Sequence, residues 1–205
     1  MLLASVNDIL NDLGFEAMTD ITASATLALD AAEAQLASVL NSEFDQGTFT
    51  DTFFVSEPPY LDGPACETEF RLRRGFVSSL TSVRYAGSVQ DLTDPSAYND
   101  VTATAQLHPD KGIVKDYVTR FRRQFVQIVY DAGFPEDGTS PASYDLTKVP
   151  DWLQQAAKTA ALLSLADSPS LSEAQIKLDK TVLGIRYSSL LNRKLRYAPL
   201  SILPL

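Results

Sequence analysis

The feature that most constrains this chain is a change of texture that happens twice. Up to about residue 46, and again after about residue 149, apolar residues recur at helical spacing. Between these segments the chain is rich in Phe, Thr and Val, with turn residues at short intervals. Helix signals and strand signals are segregated rather than alternating. Segregation argues for an α+β fold: N-terminal helices, a central antiparallel β block (about 46–131), C-terminal helices and an extended C-terminal tail. The chain has 205 residues, enough to bury a real core. The expectation is one α+β domain over residues 1–196, followed by a tail at 197–205.

Ser5 can cap a short helix carrying Val6, Ile9, Leu10 and Leu13, with Gly14 at its stop. Thr19 and Asp20 offer caps ahead of a longer, alanine-rich helix. Its stripe is Ala25, Leu29, Ala32, Leu36 and Leu40, with Asp30, Glu33 and Ser38 elsewhere on its surface. Strands are expected at 48–55, 69–78, 82–85 and 124–130. The cleanest period-2 signal lies at 101–108, where Val101, Ala103, Ala105 and Leu107 alternate with polar residues. Pro109-Asp110-Lys111-Gly112 is a turn that reverses the chain into Ile113 and Val114. Residues 57–64 and 135–147 read as loops.

Pro150 suits a first helical turn, and Val149, Leu153, Ala156, Ala160 and Leu163 make the stripe of the helix it starts. Asp167-Ser168-Pro169 ends that helix. Ser170 and Glu173 are spaced as a capping box for a last helix, about 172–196. The final nine residues, YAPLSILPL, hold two prolines and little polar character. After a basic helix, such a segment reads as a docking strap that adds a strand to a partner or fills its groove. The plainer alternative is a tail folded back on its own core.

Charge is unevenly spread. The net charge is −9, yet residues 1–70 hold 13 acids and no Lys or Arg. The other 135 residues carry a net +4. A dipolar chain can stack head-to-tail on copies of itself or present one sign to a partner; a solvated acidic face is the simpler reading.

Residue chemistry gives little support for catalysis. One cysteine, Cys66, rules out a disulfide framework within the chain, and one histidine, His108, beside it rules out the usual zinc sets. Glu67 and Glu69 would raise the Cys66 thiol pKa, the wrong direction for a nucleophile. His108 reads as a surface residue at a strand end. No carboxylate spacing marks an acid/base pair, and no phosphate-cradling glycine loop or EF-hand pattern occurs. No metal or cofactor is expected. Arg120, Phe121, Arg122, Arg123 and Phe125, and Arg71, Arg73 and Arg74, are small basic clusters. In an acidic protein they are weak candidates for direct DNA binding and good candidates for pairing with acids. No apolar run approaches the length of a membrane helix, and MLLASVNDILND lacks the basic start of a secretory signal. A soluble, intracellularly made protein is expected.

One stretch is more specific: QIVYDAGF (127–134), a loop, then VPDWLQQAAKTAALLSLAD (149–167). It resembles the head-to-tail connector, or adaptor, family of tailed bacteriophages, in which a strand ends in a Tyr-x-Ala-Gly-aromatic run. A loop follows, then Val/Leu-Pro and a helix with paired alanines. The matching residues are Tyr130, Ala132, Gly133, Phe134, Val149, Pro150, Leu153, Ala156 and Ala157. HPDKGIV (108–114) is similar to the family's turn before its later strands, and SVNDILNDLG (5–14) looks like the start of adaptors in short-tailed phages. The strand block is longer than in the smallest members, and the helix ends LLSLAD where the family often has an aromatic-basic ending.

The resemblance implies a non-enzymatic structural role in the virion neck, assembled in the host cytoplasm. It implies a ring of this chain, commonly twelve-fold, beneath the portal protein, with a downstream neck or tail protein below. Genomic DNA would pass through the lumen without specific binding, and no membrane is involved. Family C-terminal segments often dock on the portal. The candidates here are Arg193, Lys194, Arg196, Tyr197, Pro199, Leu200, Ile202, Leu203 and Leu205. The alternatives are a stopper or tail-completion protein, a small metal-assisted enzyme and a free binding module for a host factor.

Overall fold

The structure, a computed structural model, describes residues 1–14, 19–40, 42–55, 68–116, 124–138, 142–169, 171 and 177–192. It divides into two compact units. One joins residues 1–41 to the described residues from Phe134 onward and holds the helices. The other, residues 42–133, holds all the described strands. The class is α+β, with the strands antiparallel.

The helical unit contains α1 (Val6–Leu13), α2 (Thr19–Leu40), α3 (Asp151–Leu165) and α4 (Lys180–Asn192). Gly14 ends α1 in the left-handed conformation, φ 77°, its N–H donating to Asn11 O and Leu10 O. Ser5 sits at the N-cap position, but its side chain makes no capping hydrogen bond. Thr19 and Asp20 lie inside α2 rather than ahead of it. The expected α2 stripe, Ala25, Leu29, Ala32, Leu36 and Leu40, is buried throughout.

α3 is the central helix, packed against both α2 and α4. Its buried residues include Leu153, Ala156, Ala157, Ala160, Ala161 and Leu165. That many alanines keep it slim enough to bury most of its circumference. Pro150 stands just ahead of α3, at its N-cap, where its carbonyl accepts from the N–H groups of Leu153 and Gln154. α4 starts later than the expected 172, because Lys177–Asp179 is not helical. The Asp179 carboxylate caps α4 instead, accepting from the N–H groups of Thr181 (2.9 Å) and Val182 (3.1 Å).

The strand unit holds two sheets. One has the order β1-β7-β3-β4: β1 (Gly47–Val55), β7 (Gln124–Ala132), β3 (Val77–Ala86) and β4 (Asn99–Asp100). The other has the order β2-β6-β5: β2 (Thr68–Arg71), β6 (Ile113–Asp116) and β5 (Gln106–His108). One core joins them. Phe53, Val83, Val126, Ile128 and Tyr130 of the first sheet cluster with Phe70 and Val114 of the second. On β7 the buried residues Val126, Ile128, Tyr130 and Ala132 alternate with partly exposed ones, as a strand with one dry face requires.

Two strand expectations are corrected. Residues 101–108 are not one strand; only Gln106–His108 is extended. The Asp100 carboxylate accepts from both the N–H (2.9 Å) and the hydroxyl (2.6 Å) of Thr102 and starts a turn. The N–H groups of Thr104 and Ala105 then donate back to Val101 O. Nor is 69–78 one strand with a separate one at 82–85. The chain breaks at residues 72–76, and β3 runs unbroken in secondary structure from Val77 to Ala86, with irregular register against β7. The turn at Pro109–Lys111 forms as expected, with Gly112 left-handed at φ 56°.

Candidate functional site: a tethered arginine turn

The break at 72–76 carries Arg73 and Arg74, and successive residues of it are tied down. Leu72 N–H donates to Gly112 O at 2.9 Å. Arg73 N–H donates to Asp51 Oδ2 at 2.7 Å, Arg74 N–H to the Tyr130 hydroxyl at 3.2 Å, and Gly75 N–H to Ser42 Oγ at 2.9 Å. Phe76 O accepts from Gly133 N–H at 3.2 Å. Phe76 is held at φ 54°, a left-handed conformation that a bulky residue adopts only when its surroundings impose it.

Asp51 is the hub. It is 2% exposed, in a strand otherwise built of Thr, Phe and Val. Its Oδ2 also accepts from the Tyr130 hydroxyl at 2.9 Å, and its Oδ1 lies 3.5 Å from Arg73 Nε. A buried carboxylate needs such partners, because its desolvation is otherwise uncompensated. Burial pushes the Tyr130 phenol well above its ordinary value; the Arg74 N–H opposes this and the Asp51 charge adds to it. Tyr130 therefore stays neutral and keeps its donor proton.

The arginines are matched by acids of the same chain. Arg74 pairs with Glu43 and lies 4.8 Å over the Phe49 ring. The Arg73 side chain is 61% exposed beside Asp51. The turn thus presents cationic side chains on a rigid backbone, with their charge largely offset. That favours structural pairing over the DNA contact weighed for Arg71, Arg73 and Arg74.

The remaining motif residues fall around the passage between units. Tyr130 and Ala132 are buried on β7. Gly133 ends the strand unit at φ 88°, and a Cβ there would stand 2.2 Å from Asp45 O and 2.6 Å from Phe44 O. Only glycine fits. Phe134 opens the helical segment and packs edge-on against Tyr144, ring centroids 6.0 Å apart. Val149, Leu153, Ala156 and Ala157 are buried at and within α3.

Two features were not anticipated. Asp51 shares the parity of Phe53 and Val55 on β1, so the alternation itself marked it as inward-facing. Tyr144, inside the expected loop 135–147, is fully buried and donates to Glu33 Oε1 at 2.9 Å. Glu33, expected on the surface, is therefore half-buried, with the amino group of Met1 3.1 Å from its other oxygen. Nothing in the loop's Ser/Pro/Gly texture signalled this.

His108 is exposed at the end of β5. Cys66, Arg120, Phe121, Arg122, Arg123 and the docking candidates Arg193, Lys194, Arg196, Tyr197, Pro199, Leu200, Ile202, Leu203 and Leu205 lie outside the described residues. So do Ser170 and Glu173. Among the described residues no group of His, Cys, Asp and Glu is arranged to hold a metal ion, and no helix is long and apolar enough to cross a membrane.

No protein-family model matches the chain, and no curated protein matches its sequence. Among solved structures it is similar to a chain in the neck of an empty gene transfer agent (GTA) particle computed with C6 symmetry. That likeness has 15% identity and a TM-score of 0.48, covering 96% of this chain and 91% of that one. It is similar also to a chain in the virion of a native GTA particle (15%, TM-score 0.47, 96% and 91%). A third is in the neck of a native GTA particle computed with C12 symmetry (15%, TM-score 0.45, 94% and 88%).

Proposed function

We propose that this chain is a non-enzymatic structural protein of a phage-type virion neck. Copies of it form a ring, of twelve in the family it resembles, beneath the portal. The ring extends the DNA channel and joins the head to a downstream neck or tail protein. Residues 1–196 act as one adaptor body and residues 197–205 as the strap that docks on the portal, with Arg193, Lys194 and Arg196 beside it. Assembly takes place in the host cytoplasm, and genomic DNA passes through without specific contacts.

The observation that carries this reading is the Tyr130-Asp-Ala-Gly-Phe134 run with its following helix. Each motif residue has a physical task at one place: Tyr130 tethers the arginine turn, Gly133 fits where no side chain can, Phe134 enters the helical unit, and Ala156 and Ala157 let α3 pack closely. Electron cryo-microscopy of the particle that encodes this chain tests it. A ring of this chain directly under the portal is expected; a neck lacking it overturns the reading. Attachment to isolated portal rings separates an adaptor from a stopper or tail-completion protein. A chain lacking residues 197–205 should fold and fail to attach, and normal attachment would remove the strap assignment.

A further inference from the structure

The outer faces of α2 and α4 are unlike those of solvated helices. On α2 the exposed arc runs through Ala23, Leu27, Ala31, Ala34 and Ser38, with Asp30 at one edge. Leu27 is 70% exposed at its centre. On α4 the exposed arc runs through Thr181, Val182, Ile185, Ser188 and Ser189, with Arg186 at one edge. Val182 and Ile185 are 60% and 66% exposed. Ile185, Ser188 and Ser189 line a shallow open trough with Thr181 and Gly184. Surface helices ordinarily place charged residues on such arcs.

Each arc sets large aliphatic side chains among small ones, the arrangement that lets two helices approach closely. The charges are complementary: α2 carries Asp20, Asp30 and Glu33 and no base, whereas α4 carries Lys180 and Arg186 and no acid. Both bases already have partners in the chain, Lys180 with Asp167 and Arg186 with Gln155 at 2.9 Å, so they stand at fixed places beside the trough. Both helices belong to one unit, and α3 packs against each.

We infer that the outer face of α2 in one copy packs on the outer face of α4 in the next, a heterologous contact between copies of this chain. Two different faces of one molecule meeting in this way generate a closed ring when the rotation closes. The inference rests on the neck reading, and it names the surfaces by which that ring is joined. A face-to-self contact is disfavoured for α2, where Asp30 would meet a second Asp30, and for α4, where Arg186 would meet Arg186.

The test uses Leu27→Cys and Ile185→Cys in a Cys66→Ser background, carried into particles assembled in the host. Both sites are exposed, so the fold tolerates the changes, and circular dichroism checks this. On mild oxidation the double variant should give a ladder of covalent oligomers on a denaturing gel, and each single variant should stay monomeric. Single variants that crosslink to themselves overturn the inference in favour of a two-fold contact. A neck that contains the chain but yields no ladder overturns it while the neck reading stands. A neck that lacks the chain overturns both.

Discussion

The Tyr130 hydroxyl donates to the buried Asp51 carboxylate at 2.9 Å, joining the central strand β7 to the edge strand β1 through side chains as well as through the ladder. The same two groups receive the N–H donors of Arg74 and Arg73. Removing either partner therefore costs more than one hydrogen bond. Asp51→Ala should destabilise by about 2–4 kcal/mol, because it strands a buried N–H and a hydroxyl; Tyr130→Phe should cost about 1–2 kcal/mol. Urea melts of the two single variants and the double variant should show coupling of about 1–2 kcal/mol. Strict additivity would mean that the pair does not act as a unit.

Alkaline pH should expose the same network. The Tyr130 phenol is held above the ordinary 10.0, chiefly by burial, so the folded state keeps a proton that the unfolded state releases. Stability is then full below pH about 10 and falls as pH rises beyond it. Tyr187, also raised by burial, adds to the loss with the same sign. Denaturation midpoints at pH 9 and 11 should drop less in Tyr130→Phe than in the parent. An equal drop would assign the loss to other groups.

Gly133 and Gly14 are both left-handed, at φ 88° and 77°, but only Gly133 faces a backbone wall. Gly14→Ala should cost about 1 kcal/mol, from backbone strain alone. Gly133→Ala adds overlap with Asp45 O and should cost about 3 kcal/mol or more. Thermal melts decide it, and similar shifts in the two variants would mean that the strand unit yields at Asp45.

Asp131 accepts from the hydroxyls of Thr48 (2.6 Å) and Ser79 (2.8 Å), one from each flanking strand. These bonds hold its carboxyl below the ordinary 3.8. Its contribution to stability is therefore present at neutral pH and is lost as pH falls through that lowered value. In carboxyl-carbon NMR titrations, Thr48→Val with Ser79→Ala should move its midpoint back up. An unmoved midpoint would mean that another group sets it.

The class of fold, the two long helices, the turn at Pro109–Lys111 and strands β1 and β7 were legible in the sequence, because each rests on periodicity or on one strong turn residue. The misread stretches share a physical cause. Val101–Thr104 alternates like a strand, but the Asp100 carboxylate offers its backbone a competing turn. Residues 69–78 have strand composition throughout, yet the break at 72–76 is imposed by Asp51, Tyr130 and Ser42, all distant in sequence. Tyr144 and Glu33 meet across 111 positions, which no local pattern encodes. The expected docking residues stand where the sequence left them, as a proposal.

The helical unit is interrupted in sequence by the strand unit, and this has a consequence for synthesis. α2 is complete at Leu40, but α3, against which its apolar stripe packs, begins only at Asp151. At about 5–20 residues per second, the ribosome leaves that stripe without α3 for on the order of 10 s. The inserted strands shorten the later search: Gly47 and Ala132 are paired neighbours in the ladder, so the sheet, once folded, returns the chain to where it left. The closure entropy of a long connection is then met within the sheet, and α3 is delivered to α2 across a short gap.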